Sequence, residues 1–128
     1  MNPGVKKLWL AELRSGKHLQ GRGEICNYVG EEGFEFCCLG VLGCKVLKKN
    51  PDETDDWVDG GMLDNAHRAD VGLTEIEQNA LATLNDGGKI ADMGVLIGAL
   101  LVSWGAVVDG IVKVHSFEEI ADIVEKYL

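Results

Sequence analysis

The sequence predicts an α+β fold: one compact domain over residues 1–128, mainly helical, with one or two short β-hairpins. Three observations carry that prediction. Apolar residues recur at helical spacing in several separate stretches. Short alternating or β-branched runs bracket glycine-containing turns. The chain has 128 residues, 46% hydrophobic and 26% charged, enough for one core and too few for two.

The elements follow in order. Asn2 and Pro3 form an N-cap and first-turn pair, and Val5, Leu8, Trp9 and Leu13 mark the apolar face of a helix that Gly16 stops. Its other face is basic, with Lys6, Lys7 and Arg14. Lys17 to Gly23 is too glycine-rich to continue the helix and reads as a loop. Ile25, Tyr28 and Val29 precede Gly30-Glu31-Glu32-Gly33, and Phe34 and Phe36 alternate around Glu35, which predicts a two-stranded hairpin. Cys37 to Lys49 is a compact apolar segment that turns basic at Lys45, Lys48 and Lys49, as a helix C-terminus favours, before Asn50-Pro51 ends it.

Residues 52–62 are acidic with a Gly60-Gly61 break and read as a mobile surface loop, Trp57 being the exception within it. Thr74 and Glu77 make a capping box for a helix whose stripe is Ile76, Ala80, Leu81 and Leu84, closing at Asn85-Asp86-Gly87-Gly88. Ser116 and Glu119 repeat that box for a terminal helix with Phe117, Ile120, Ile123 and Val124 inward. Between them, the first half of residues 90–115 is apolar on every side and predicts a helix buried in the fold or in an oligomer interface. In the second half, Asp109-Gly110 between β-branched runs predicts a tight hairpin turn.

Charge and composition narrow the function. Twelve basic against twenty-one acidic residues gives −9, which repels a phosphate backbone and excludes broad nucleic-acid binding. A small anion can still bind where a few cations and backbone N–H groups converge. Charges at Lys6, Lys7, Glu12 and Arg14 interrupt any apolar leader, so no secretory signal is expected. The longest uncharged run, Met93 to Val108, is shorter than the ~18 residues of a spanning helix, so no membrane partner is expected. Cys26, Cys37, Cys38 and Cys44 lack a C-x-x-C spacing, read as free buried thiols, and point to no metal. The acidic run lacks the ligand order of a calcium loop. His18, His67 and His115 all lie far from the cysteines in sequence, and no catalytic residue and no cofactor is assigned.

The candidate ligand site is Gln20-Gly21-Arg22-Gly23. Two glycines let backbone N–H groups turn toward an anion, Arg22 offers a forked cation, and Lys17 adds a point charge. A plain turn with a surface arginine is the simpler reading of that segment. Asn85 and Asp86 either close a helix or read the hydrogen-bonding edge of a purine. Of the tryptophans, Trp9 and Trp104 are assigned to packing and Trp57 is left as a stacking candidate.

Taken together, several segments resemble a family of small bacteriophage and prophage proteins. They are Trp9 with Leu13-Arg14-Ser15-Gly16-Lys17, Gln20-Gly21-Arg22-Gly23, Phe36-Cys37-Cys38-Leu39-Gly40-Val41-Leu42, Leu84-Asn85-Asp86 and Ser116 through Asp122. The chain departs from the pattern at Gly43, where relatives carry a cysteine, and residues 90–115 look like an insertion before the terminal helix. The family resembles viral anti-CBASS sponge proteins, which sequester cyclic dinucleotide immune signals without cleaving them. The resemblance implies a non-enzymatic protein of the host bacterial cytoplasm, a small nucleotide ligand, and a homo-oligomer, dimer first, whose symmetry matches a two-fold ligand. Lys17, Gln20 and Arg22 would hold phosphates, and Asn85 and Asp86 a base. Two other functions compete: an acidic interaction protein or DNA-mimic decoy that inhibits a host enzyme, and a small phosphodiesterase.

Overall fold

A computed structural model describes residues 1–128. Helix α1 (Pro3–Arg14) is capped by Asn2, whose side chain accepts from the Gly4 and Val5 N–H groups, and Gly16 follows its end at φ +73°. The chain then forms β1 (Leu19–Gln20), β2 (Cys26–Tyr28) and β3 (Phe34–Phe36). The expected hairpin is β2 and β3, antiparallel, with Cys26 opposite Phe36 and Tyr28 opposite Phe34. The expected loop from Lys17 to Gly23 is corrected in part: Leu19–Gln20 pairs parallel to β3, giving a sheet of order β1-β3-β2. Glycine content hid this strand, because its partner lies sixteen residues on.

Helix α2 (Cys38–Val41) widens into a π-helical turn over Leu42–Val46, with the Leu47 N–H donating to Leu42 O. Residues 52–62, expected as a mobile loop, are instead built around Trp57. They hold a 3-10 turn (Thr54–Asp56) and the first strand of a hairpin, β4 (Val58–Asp59) with β5 (Met62–Leu63), turned at Gly60-Gly61. The Trp57 ring is fully buried against Gly43 and its Nε1–H donates to Asn50 O at 3.0 Å, which removes it as a stacking platform. Helix α3 (Asn65–Val71) was not anticipated, although Asp64 caps it and Gly72, at φ +74°, ends it with Leu73 N–H on Arg68 O.

Helices α4 (Glu75–Asp86) and α6 (Phe117–Tyr127) carry both predicted capping boxes complete. Between them the chain leaves through β6 (Gly88–Lys89) and returns through β7 (Ile111–Val112), which pair antiparallel and close the base of the excursion. The predicted Asp109-Gly110 turn is present, with both residues at positive φ (52° and 74°) and Val108 bridged to Ile111, the geometry that matches strand twist. The all-apolar helix is α5 (Val95–Ser103), and of the two expected alternatives burial wholly within the fold does not hold. Only Gly98 and Leu101 are buried, while Val95, Leu96 and Val102 are 87%, 65% and 59% exposed.

One hydrophobic core joins these elements, centred on Trp9, Leu39, Leu42, Leu81, Leu84 and Ile120. The Trp9 indole, wholly buried, donates to Cys38 O at 3.0 Å, so its polar atom is satisfied where α1 crosses α2. At Gly40 a Cβ would collide with the Ile25 carbonyl, so the loop before β2 rests directly on the α2 backbone. Gly40→Ala is therefore expected to lower stability by about 3 kcal/mol, the upper end for an overpacked core, read as a shift of the urea midpoint at unchanged slope.

Candidate functional site

The residues singled out in the sequence divide sharply once folded. Asn85, at the end of α4, is wholly buried and every hydrogen-bonding position of its amide is taken. Its Oδ1 accepts from the Cys38 N–H (3.1 Å) and the Gln20 amide (3.0 Å), and its Nδ2 donates to Gly21 O (2.8 Å) and Asp86 Oδ1 (3.0 Å). Gln20 is equally committed: its Nε2 also donates to His115 O (2.8 Å) and its Oε1 accepts from the Phe117 N–H (3.1 Å). These two amides bind the first sheet to α2, α4 and the start of α6, which is a structural role.

The glycine loop is filled as well. Gly21 N–H donates to Phe36 O at 2.8 Å and Gly23 N–H to Asp86 Oδ1 at 3.1 Å. The carboxylate of Asp86 thus stands where the sequence reading put a phosphate, and its negative charge faces the same donors a ligand would use. In this geometry the amides of Gln20 and Asn85 and the N–H groups of Gly21 and Gly23 all have partners within the fold, while Asp86 is exposed and engages through Oδ1 alone. Arg22 is exposed, forms no ion pair and lines none of the larger cavities.

Lys17 is in a different position. It borders a cavity of about 230 Å³ together with His18, Leu19, Glu32, Phe34, Phe36, Lys45 and Pro51. Alternation along β3 turns Phe34 and Phe36 to one face and Glu35 to the other. The π-helical turn carries Lys45 over the Phe36 ring, with Nζ 5.2 Å from its centre. Neither Lys17 nor Lys45 forms an ion pair. His18 approaches Glu12 at 2.6 Å and meets the Phe36 ring edge-on at 6.3 Å. The hydrogen bond from His18 holds the Glu12 carboxyl below its ordinary range, against a weaker opposing effect of burial. The arrangement offers an aromatic wall, two free ammonium groups and a half-buried imidazole–carboxylate pair. Of its residues the sequence reading chose only Lys17, since the others converge from three separate segments.

A larger cavity, about 480 Å³, runs along α1 past Lys6, Lys7, Leu10 and Arg14. Its cations are largely spent. Arg14 is held by Asp122 and Glu125 at 2.8 Å each, and Lys6 donates to Glu125 O. Burial pushes the Cys37 thiol up to about 11 and Cys44 up to about 12, and raises Cys38 and the partly buried Cys26 also, which disfavours their thiolate forms.

Removing the buried amide strands the Cys38 N–H and the Gly21 carbonyl. Asn85→Ala is expected to cost about 2–6 kcal/mol in chemical denaturation, from one to three per stranded partner, and Asn85→Asp to be at least as severe, because it sets a buried carboxylate oxygen against Gly21 O and Asp86 Oδ1. No curated protein matches the chain, and no solved structure does. Over residues 1–128 it matches a family model described as a domain of unknown function (DUF8296), and the chain belongs to that family.

Proposed function

We propose that the protein binds and sequesters a small phosphorylated aromatic compound of the nucleotide class, a cyclic nucleotide immune signal being the candidate that the phage-protein resemblance suggests. The observation that carries this reading is the pair of unpaired lysines, Lys17 and Lys45, flanking a wall of Phe34 and Phe36 on a chain of net charge −9. Free ammonium groups on so acidic a surface are poor sites for nucleic acid and good ones for a compact anion, and an aromatic wall favours a base. The cavity is smaller than the ~300–1,000 Å³ of sites that engulf a drug-sized ligand, so one copy would cover part of a dinucleotide.

Calorimetric titration with mononucleotides and cyclic dinucleotides tests it. Binding should fall at least about tenfold in Lys17→Glu and in Lys45→Glu, equivalent to about 1.4 kcal/mol. Loss in Arg22→Ala with both lysine variants unaffected would return the site to the glycine loop and overturn this placement. Ligand recovered intact after heat denaturation is the expected outcome. Hydrolysed product would instead assign general acid–base work to His18 and Glu12 and support the phosphodiesterase.

The same proposal includes a homodimer. Its support is the exposed side of α5, where Val95, Leu96 and Val102 face outward in a segment without a charged residue between Asp92 and Asp109. On an acidic chain this is a surface where two copies meet without like-charge repulsion. Light scattering should show a dimer that Val95→Glu combined with Val102→Glu converts to monomer.

A further inference from the structure

A second surface, sharing no residue with the lysine pocket, carries an inference of its own. Two cavities, of about 280 and 450 Å³, meet at Met62 and Asn79 and form one groove along the outer side of α4, between the β4–β5 hairpin and the start of α5. Its floor is apolar and adaptable: Met62, Ala82, Met93 and Ile97, all half-buried. Its rim is acidic. Asp59 and Glu75 stand at one end and Asp86 and Asp92 at the other, and Asp59, Glu75 and Asp92 engage in no ion pair.

The only cation along the groove is Arg68, and its guanidinium is tied to its own helix and the turn after it, donating to Leu73 O at 3.0 Å and Asn65 Oδ1 at 3.2 Å. Asp64, also on the rim, is occupied by His67 at 2.7 Å. What faces solvent is therefore a methionine-containing trough between uncompensated carboxylates. Apolar side chains of a bound segment would lie on the floor while lysines or arginines spaced along the same segment meet the rim, and an acidic or neutral segment would leave the carboxylates unmatched.

We infer that the α4 groove is a docking surface for a cationic amphipathic segment of another protein. This assigns the acidic character of the chain to a bounded site, and it stands independently of nucleotide binding.

Fluorescence anisotropy with a labelled synthetic helix of leucine and lysine tests the inference, with a leucine–glutamate helix as control. The basic helix should bind and the acidic one should not, and binding should weaken as salt rises from about 0.05 M to about 0.5 M. Asp59→Lys combined with Asp92→Lys should reduce affinity at least about tenfold, and Met93→Gln should reduce it at unchanged net charge. Reversing two carboxylates away from the groove, Glu31→Lys with Asp70→Lys, should leave the affinity within about twofold of the parent. Thermal unfolding of each variant confirms that it is folded. Equal weakening by the two charge-reversed pairs would reduce the effect to overall charge and overturn the inference. A change of oligomeric state in Asp59→Lys with Asp92→Lys would give the groove to a second copy of the chain and overturn it as well. Retained nucleotide binding in these variants separates this surface from the lysine pocket.

Discussion

The structure depends most on one buried amide. Asn85 lies where four pieces of chain converge: the end of α4, the N-terminus of α2, the loop after β1, and, through Gln20, the entry to α6. None of these contacts is regular secondary structure, and three of them satisfy a backbone group, the Cys38 N–H, the Gly21 carbonyl and the Phe117 N–H. An apolar core supplies most of the driving force but is indifferent to register. The directional bonds of Asn85 and Gln20 decide which loop meets which helix, so the core closes in one way. The consequence for function is direct: Asn85 holds the Gly21 carbonyl in place, and the loop's own donors, the Gly21 and Gly23 N–H groups, are taken up by Phe36 O and Asp86 Oδ1.

Charge is segregated over the rest of the surface. Cations that are already paired sit along α1 and α6, where Arg14 bridges Asp122 and Glu125. Free lysines gather at the aromatic wall of the first sheet, positioned by the π-helical turn that sets Lys45 over Phe36. Uncompensated carboxylates line the α4 groove on a separate surface. Lys113 and Ser116 together pull the Glu119 carboxyl down to about 2, an ion pair and a capping bond acting on one group at the start of α6. The chain is thus acidic on average while its local fields have opposite signs, and the two proposed partners are opposite in charge.

Helices with strong local punctuation were legible in the sequence. Asn2-Pro3, Thr74 with Glu77, and Ser116 with Glu119 each satisfy their helix start within a few residues, so no distant contact is needed to recognise them. The Asp109-Gly110 turn is equally local, because its positive φ angles suit the residues that occupy them. Less was legible where the cause is remote. Leu19–Gln20 becomes a strand only because β3 lies beside it, Trp57 enters the core only because Gly43 leaves room for its ring, and α5 exposes one side only because α4 covers the other. Helix α3 is a different case: its punctuation, Asp64 and Gly72, is local, but the helix is only seven residues long.

The sequence by itself determined the α+β class, the three longest-punctuated helices, the first hairpin and the burial of three of the four cysteines, Cys26 being only partly buried, because each follows from hydrophobic period or from hydrogen bonds closed over a few residues. Only the tertiary structure decided which polar residues remain free. Gln20, Asn85 and Asp86 are as suited in type to a ligand as Lys17 and Lys45 are. The first three found hydrogen-bond partners within the fold, while the ammonium groups of the last two form no hydrogen bond or ion pair, and that difference rests on contacts up to 97 residues apart that no local pattern encodes.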